Sequence, residues 1–359
     1  MDNTHRAPSE FELRSAKATR LNSSQPLPSP YTARETSEAS SDKFEALSHF
    51  LFVLNSKSGN SQCENLKALA VTKAQLYGKT VSFLNLDPSV SLEEAIDEAV
   101  AAGAQVLVAA GGDGTVSAIA TQARRVKLPL GVIPSGTANL FARELNIPLV
   151  IEAAVEQIFQ CHTRLVDVVL IDKHVYLCHI SVGTYSLIAS NTQSPAKKKF
   201  GRGAYIFNGL KLLFKKKHWT FQLEIDGKRH VRRASTLMIT NVGAMGAGNL
   251  RWTNEALPDD GQIEICVIRA RTLKHYLKLF FSYLSGREHP HLQETLIIRS
   301  EARISSPSRL CVMGDGEEIT QGDFSLKVEA RALEVLAPPP SASAQARSSD
   351  SLTNSSSLS

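Results

Sequence analysis

An α/β domain followed by a β-rich domain is the architecture that this 359-residue sequence predicts, and three observations predict it. Apolar runs of strand length alternate with helical patterns from residue 50 to about 143, the rhythm of a parallel sheet. From about Asp167 the texture changes to short strands separated by turn residues. Two strands of the first half run directly into glycine-rich turns, Gly111-Gly112-Asp113-Gly114-Thr115 and Pro134-Ser135-Gly136-Thr137-Ala138-Asn139, at the strand ends where open α/β sheets bind ligands.

The elements follow in order. Phe50 to Leu54 is an expected strand, Glu64 to Leu76 a helix, Thr80 to Leu86 a strand, and Leu92 to Ala102 a helix with Glu93, Glu94, Asp97 and Glu98 facing outward. Val106 to Ala110 and Leu130 to Ile133 are strands that each lead into a helix. Short strands are expected at Val166 to Ile171, Val175 to Ser181, Phe221 to Ile225, Ser235 to Asn241, Gln262 to Val267, Glu294 to Ser300, Ala302 to Ser305 and Ser325 to Val335. The stretch Leu273 to Leu284, with Tyr276, Leu277, Phe280 and Phe281, reads as a helix that packs on the core. Both ends of the chain are rich in Ser and Pro, so residues 1–47 and 338–359 are expected to be disordered tails.

Composition sets the class. With 43% hydrophobic and 21% charged residues, the chain is expected to be soluble and globular, with room for two domains. It has no apolar run near the roughly 18 residues that cross a bilayer, and no basic-then-apolar leader pattern, so the expected location is cytoplasmic. Five cysteines (Cys63, Cys161, Cys178, Cys266, Cys311), widely spaced and without a CxxC pair, suggest neither disulfides nor zinc.

The turn Gly111 to Thr115 lets backbone N–H groups approach a phosphate while Asp113 stays free for a cation. It is not a dinucleotide fingerprint, because Ser117 stands where a third glycine is needed, and the absence of a Gly-Lys-Ser/Thr ending excludes a P-loop. A third polar turn, Asn55-Ser56-Lys57-Ser58-Gly59-Asn60, ends the first strand and offers an amide, hydroxyls and an ammonium to an anion.

With these motifs in place, in this order, the sequence resembles the diacylglycerol kinase catalytic-domain family, which includes bacterial soluble lipid kinases and sphingosine and ceramide kinases. The resemblance rests on Asn55 to Gly59, Gly111 to Thr115, Pro134 to Asn139 and Gly314-Asp315-Gly316-Glu317, and spans residues 48 to about 336. It implies an α/β ATP-binding domain of phosphofructokinase and NAD-kinase type (48–165), a β-sandwich domain (166–320) and a segment returning to the first domain (321–337). It also implies ATP and Mg²⁺ as cofactors and a lipid hydroxyl as acceptor. Asn55, Ser58, Gly59, Gly111, Gly112, Asp113, Gly114, Thr115, Gly136, Thr137 and Asn139 match the family's nucleotide loops.

Asp315 is the expected general base, with Asp113 the competing candidate, since one branch of the family assigns that role to its equivalent. Glu317, on the same side as Asp315 if the segment is extended, is expected to help hold Mg²⁺ or to orient Asp315. Asp260, in Leu257-Pro258-Asp259-Asp260-Gly261, matches an element that binds a structural Mg²⁺. Two positions depart from the pattern: Ser56 replaces a usual Pro, and Leu140 replaces an Asp that joins the metal network in many bacterial members.

Between Lys197 and Arg233 there are twelve basic residues and two acidic ones, among them Lys197, Lys198, Lys199, Lys215, Lys216 and Lys217. Beside apolar residues such as Phe207 and Phe214, this cluster suits anionic lipid headgroups, so docking on the inner face of a membrane is expected there. No nucleic-acid motif accompanies it, and no nucleic-acid partner is expected. A homodimer is left open. Two other readings stand beside the lipid kinase: an NAD kinase-like enzyme, which shares the Gly-Gly-Asp-Gly-Thr turn, and a non-catalytic nucleotide- or lipid-sensing module, motivated by Leu140.

Overall fold

Strands buried on both faces set the layering of the first domain. A computed structural model of the chain describes residues 47–55, 60–87, 89–160, 162–193, 218–245, 250–253, 256–285, 289–306 and 309–339. β1 (His49–Leu54), β2 (Thr80–Asn85), β3 (Val106–Gly111) and β4 (Leu130–Pro134) pair in parallel in the order β2-β1-β3-β4. Helices α1 (Asn60–Leu76), α2 (Leu92–Ala101), α3 (Asp113–Val126), α4 (Leu140–Glu144) and α5 (Ile151–Gln160) complete this half. Because successive strand residues face opposite ways, Val53, Leu107 and Ala109 pack with Ile119 of α3, while Phe52, Val108 and Ile133 pack with Phe159 of α5. The start of α2 is fixed by Ser91, whose hydroxyl accepts from the Glu94 N–H.

The second half is built of antiparallel strands, with two helices among the described elements. In chain order they are β5 (Thr163–Ile171), β6 (His174–Tyr176), β7 (His179–Gly183), α6 (Thr184–Gln193), β8 (Trp219–Ile225), β9 (Lys228–Ala234), β10 (Thr236–Thr240), β11 (Ile263–Ile268), α7 (Leu273–Ser285), β12 (Gln293–Ile298), β13 (Glu301–Ser305), β14 (Cys311–Gly314), β15 (Glu317–Gln321) and β16 (Phe324–Leu336). One sheet runs β12-β11-β10-β7-β14-β15. The other is continuous with the parallel sheet, because the long strand β16 pairs with β13 near its start and meets β4 at Val335, opposite Leu130. Ile180, Val182, Leu237 and Ile265 from the first sheet and Phe221, Leu223, Ile304 and Leu326 from the second fill the space between them, giving a sandwich core.

Three local readings differ from expectation. Val175 to Ser181 is two strands, broken at Leu177 and Cys178, whose N–H groups turn to a carboxylate instead of a ladder partner. β9 escaped the apolar pattern because Lys228, Arg229, Arg232 and Arg233 make it a charged edge strand, a protection against edge-to-edge pairing. The third is α7: it packs through one face only, burying Leu279 and Ser282 while Leu277, Phe280, Phe281 and Leu284 stay exposed.

Candidate active site

Asn55, at the carboxyl end of β1, and the two glycine turns that follow β3 and β4 meet at the start of α3. The Ser135 N–H donates to the Gly111 carbonyl at 3.0 Å, and the Asn55 side-chain amide donates to Thr115 Oγ1 at 2.8 Å. Asn139 takes a left-handed backbone (φ 49°) and closes its own turn: its Oδ1 accepts from Gly136 N and its Nδ2 donates to the Gly136 carbonyl, both at 2.9 Å. Thr137 is exposed at the tip. A Cβ on Gly136 would lie 2.4 Å from Gly112 Cα, so the two glycine turns touch backbone to backbone and Gly136 cannot carry a side chain there, while a Cβ on Gly112 would be tight at 3.3 Å from Gly136 Cα. Gly136→Ala is therefore expected to push the turns apart and weaken ATP binding at least tenfold, measured by calorimetric titration, with a lowered melting temperature. Helix α3 starts at Gly112 without a side-chain cap, which leaves its first N–H groups for an anion. Ser58 and Gly59 lie outside the described residues.

The second domain brings its carboxylate to this point on a hairpin tip. Asp315 and Gly316, with φ of 45° and 92°, form the two-residue turn between β14 and β15, in which Gly314 pairs with Glu317. Asp-Gly is thus a turn signal and a site residue at once. Asp315 Oδ1 accepts from Cys178 N at 3.0 Å and His179 N at 2.8 Å; Oδ2 accepts from Leu177 N at 2.8 Å and Ser117 Oγ at 2.5 Å. Burial pushes its pKa up to about 6 against the pull of these four donors. The expectation of an extended Asp315-Gly316-Glu317 segment is corrected: the turn intervenes, and Glu317 reaches over Gly114, with Oε1 3.5 Å from where a Cβ on that glycine would sit.

Asp113, the first residue of α3, faces the same place. Its Oδ1 accepts from Phe141 N at 3.2 Å and lies 3.7 Å from Cys178 Sγ, and burial raises its pKa. Cys178 therefore stands between the two carboxylates, with its thiol on Asp113 and its backbone N–H on Asp315. Burial and both negative charges hold that thiol protonated. Leu140 is buried in the core beside Phe141.

Ser117 is a site residue that the motif reading passed over. Its signal was spacing: four residues after Asp113, it falls on the same face of α3. His179 is another. It donates its N–H to Asp315 and sets its ring edge-on against Trp252, 6.4 Å between centroids, and burial lowers its pKa to about 4. Trp252 in turn meets Tyr185 and Tyr283 edge-on and lines an apolar cavity of about 230 Å³ together with Ile188, Met245 and Leu279. Trp252 is buried, and its indole N–H has no acceptor among the described residues. An anion cradle, a carboxylate pair and an apolar cavity are thus linked through Cys178, His179 and Trp252.

Asp260 lies in a separate acidic turn, not in this cleft. Asp167 there accepts from Gly261 N and Arg331 N, Asp259 pairs with Arg164, and Asp260 accepts from Gln262 N at 3.0 Å. Burial first, then its acidic neighbours, pushes Asp260 up to about 7. A folded-state pKa above the unfolded value means that the stability it gives is complete below about pH 4 and is lost as pH rises to about 7. Asp260→Asn is accordingly expected to melt higher than wild type at pH 8 in EDTA, by on the order of 1 kcal/mol, and to match it near pH 4. Lys197, Lys198, Lys199, Lys215, Lys216 and Lys217 lie outside the described residues.

Residues 49–171 match the family described as diacylglycerol kinase catalytic domain, and residues 178–337 match the YegS C-terminal NAD kinase beta sandwich-like domain. The chain is 27% identical over 299 residues to a Yersinia enterocolitica protein named "Probable lipid kinase YegS-like", covering 81% of this chain and 97% of that one. It is 29% identical over 274 residues to a diacylglycerol kinase of Staphylococcus aureus, covering 74% and 84%. Against an uncharacterized Synechocystis protein the match is 28% identical and spans 58% of that protein's length. A crystal structure of a diacylglycerol kinase from Bacillus anthracis has the same fold, with a TM-score of 0.64 at 19% identity, covering 82% of this chain and 98% of that one.

Proposed function

The chain belongs to the diacylglycerol kinase catalytic-domain family and is a lipid kinase, and from that premise we propose that it transfers the γ-phosphoryl group of ATP, with Mg²⁺, to a hydroxyl of diacylglycerol, a sphingoid base or a related lipid. The observation that carries this reading is the pair Asp113 and Asp315 about Cys178, set between a glycine cradle and an apolar cavity.

The glycine turns suit ATP phosphate, and single carboxylates are at hand for Mg²⁺. The uncapped start of α3 and the contact between Gly112 and Gly136 suit a phosphate chain held by backbone N–H groups. Glu317 over Gly114 would hold Mg²⁺, which when bound neutralises phosphate charge. At the acidic turn, Asp260 with main-chain carbonyls would hold a structural Mg²⁺; among the described residues no three acidic, His or Cys side chains are grouped to hold an ion.

Of the two carboxylates we take Asp113 as the proton acceptor, with Asp315, the base expected from the motifs, as the alternative that the variants below distinguish. Both Asp315 oxygens already accept two donors each, so taking a proton would break a bond to backbone or to Ser117. Asp113 takes weaker donors: Phe141 N at 3.2 Å and the Cys178 thiol at 3.7 Å on Oδ1, with the N–H groups of Leu140 and of Asp113 itself nearby. Burial raises both carboxylates, Asp315 to about 6, so the choice of Asp113 rests on its weaker hydrogen bonds. The acceptor oxygen attacks the γ-phosphorus, the bond to the bridging oxygen breaks, ADP leaves and the hydroxyl proton passes to Asp113. Asp315 positions the wall that carries Cys178 and His179. The cavity behind Trp252 takes part of an acyl chain, and its indole N–H suits a hydroxyl or carbonyl of the lipid.

The test is the purified full chain with radiolabelled ATP, Mg²⁺ and mixed micelles of diacylglycerol, sphingosine or ceramide. Labelled lipid phosphate is expected. Label in NAD and in no lipid would move the assignment to an NAD kinase-like enzyme, and ATP binding without turnover to a sensing module.

A further inference from the structure

Helix α7 is apolar on two opposite sides, and the fold uses only one. Leu279 and Ser282 are buried, and Tyr276 and Tyr283, half-buried, line the cavity behind Trp252. On the other side Leu277, Phe280, Phe281 and Leu284 are 47%, 45%, 63% and 58% exposed; at 3.6 residues per turn they form one stripe. Phe280 and Phe281 touch edge to face, 5.8 Å between centroids. These four account for four of the thirteen large apolar side chains exposed among the described residues, within two turns of one helix.

Charge beside the stripe selects the occupant. Lys274 and Lys278 are exposed along one edge, Arg271 is exposed just before the helix, and the segment Leu273–Ser285 contains no acidic residue. An apolar stripe flanked by cations is the pattern of a helix lying in the interface of an anionic bilayer. The stripe is also continuous with the acceptor cavity, since Phe280 belongs to both. A lipid would therefore pass from the bilayer along the helix to the cavity without crossing water.

Resting on the lipid-kinase reading, we infer that the outer face of α7 is the membrane-docking surface, inserting Leu277, Phe281 and Leu284 below the headgroups of an anionic bilayer with Lys274 and Lys278 at headgroup level. Among the described residues no helix is long and apolar enough to cross a membrane, and the surface seats the protein on one leaflet.

The test uses the full chain and vesicles of phosphatidylglycerol and phosphatidylcholine. The triple variant Leu277→Ser, Phe281→Ser, Leu284→Ser is expected to lose at least tenfold in vesicle partitioning by sedimentation. Its turnover of a monomeric short-chain diacylglycerol is expected within twofold of wild type, because none of the three residues lines the cavity. Lys274→Ala with Lys278→Ala is expected to lower partitioning to that seen on purely phosphatidylcholine vesicles. Phe281→Trp, which keeps an aromatic ring, is expected to blue-shift its emission on vesicle addition and to be quenched by brominated lipid. Partitioning of the triple variant within twofold of wild type overturns the inference. So does an unshifted Phe281→Trp emission, or loss of a dimer in the triple variant with vesicle binding intact. Wild type that binds vesicles through this stripe but phosphorylates no lipid would sink the kinase reading and leave the docking surface standing.

Discussion

Asp113→Asn is expected to lower kcat for lipid phosphorylation by about 1,000-fold if, as proposed, Asp113 takes the proton of the acceptor hydroxyl. The change is nearly isosteric. Asn keeps an oxygen toward Phe141 N, so the start of α3 and the ATP cradle should survive, and ATP affinity should stay within a few-fold of wild type. The pH profile gives a second readout. A base works only when ionised, so kcat/KM rises with pH through its pKa, and burial shifts that limb upward from the ordinary aspartate value. Asp113→Asn should flatten it. Asp315→Asn should lower kcat but retain the limb; if instead it removes the limb, the roles of the two carboxylates are the reverse of those proposed.

Asp315→Ala carries the second large effect, on stability as well as activity. Removing the carboxylate leaves the N–H groups of Leu177, Cys178 and His179 and the Ser117 hydroxyl without their acceptor. An unpaired buried donor costs about 1–3 kcal/mol, so with some rescue by water the sum is about 3 kcal/mol. Thermal or urea unfolding of Asp315→Ala should show that loss. Asp315→Asn, which keeps one acceptor oxygen, should lose less. Activity should fall in both, since the β6–β7 junction that holds Cys178 against Asp113 depends on this side chain. A variant that melts like wild type and turns over normally would show that the hairpin tip contributes nothing to the site.

Much of this was legible because it is local. The parallel strands announced themselves as short apolar runs, and the glycine turns by residue type, since close approach of two backbones admits no side chain. Spacing placed Ser117 on the face of Asp113, but its bond to Asp315 and that of His179 were not legible, because Asp315 lies 198 and 136 residues away in sequence. Nor was the break at Leu177 and Cys178, where an apolar run reads as one strand and only the distant carboxylate diverts its N–H groups.

The sequence by itself determined the two-domain order, the nucleotide turns and the family, because these depend on periodicity and on residue types at fixed spacing. Tertiary structure decided the rest. It set which donors each carboxylate accepts, four of them at Asp315, a matter of neighbours that spacing does not encode. It also decided that α7, apolar on two opposite sides and read as a core helix, has only one side to pack against and presents the other to solvent.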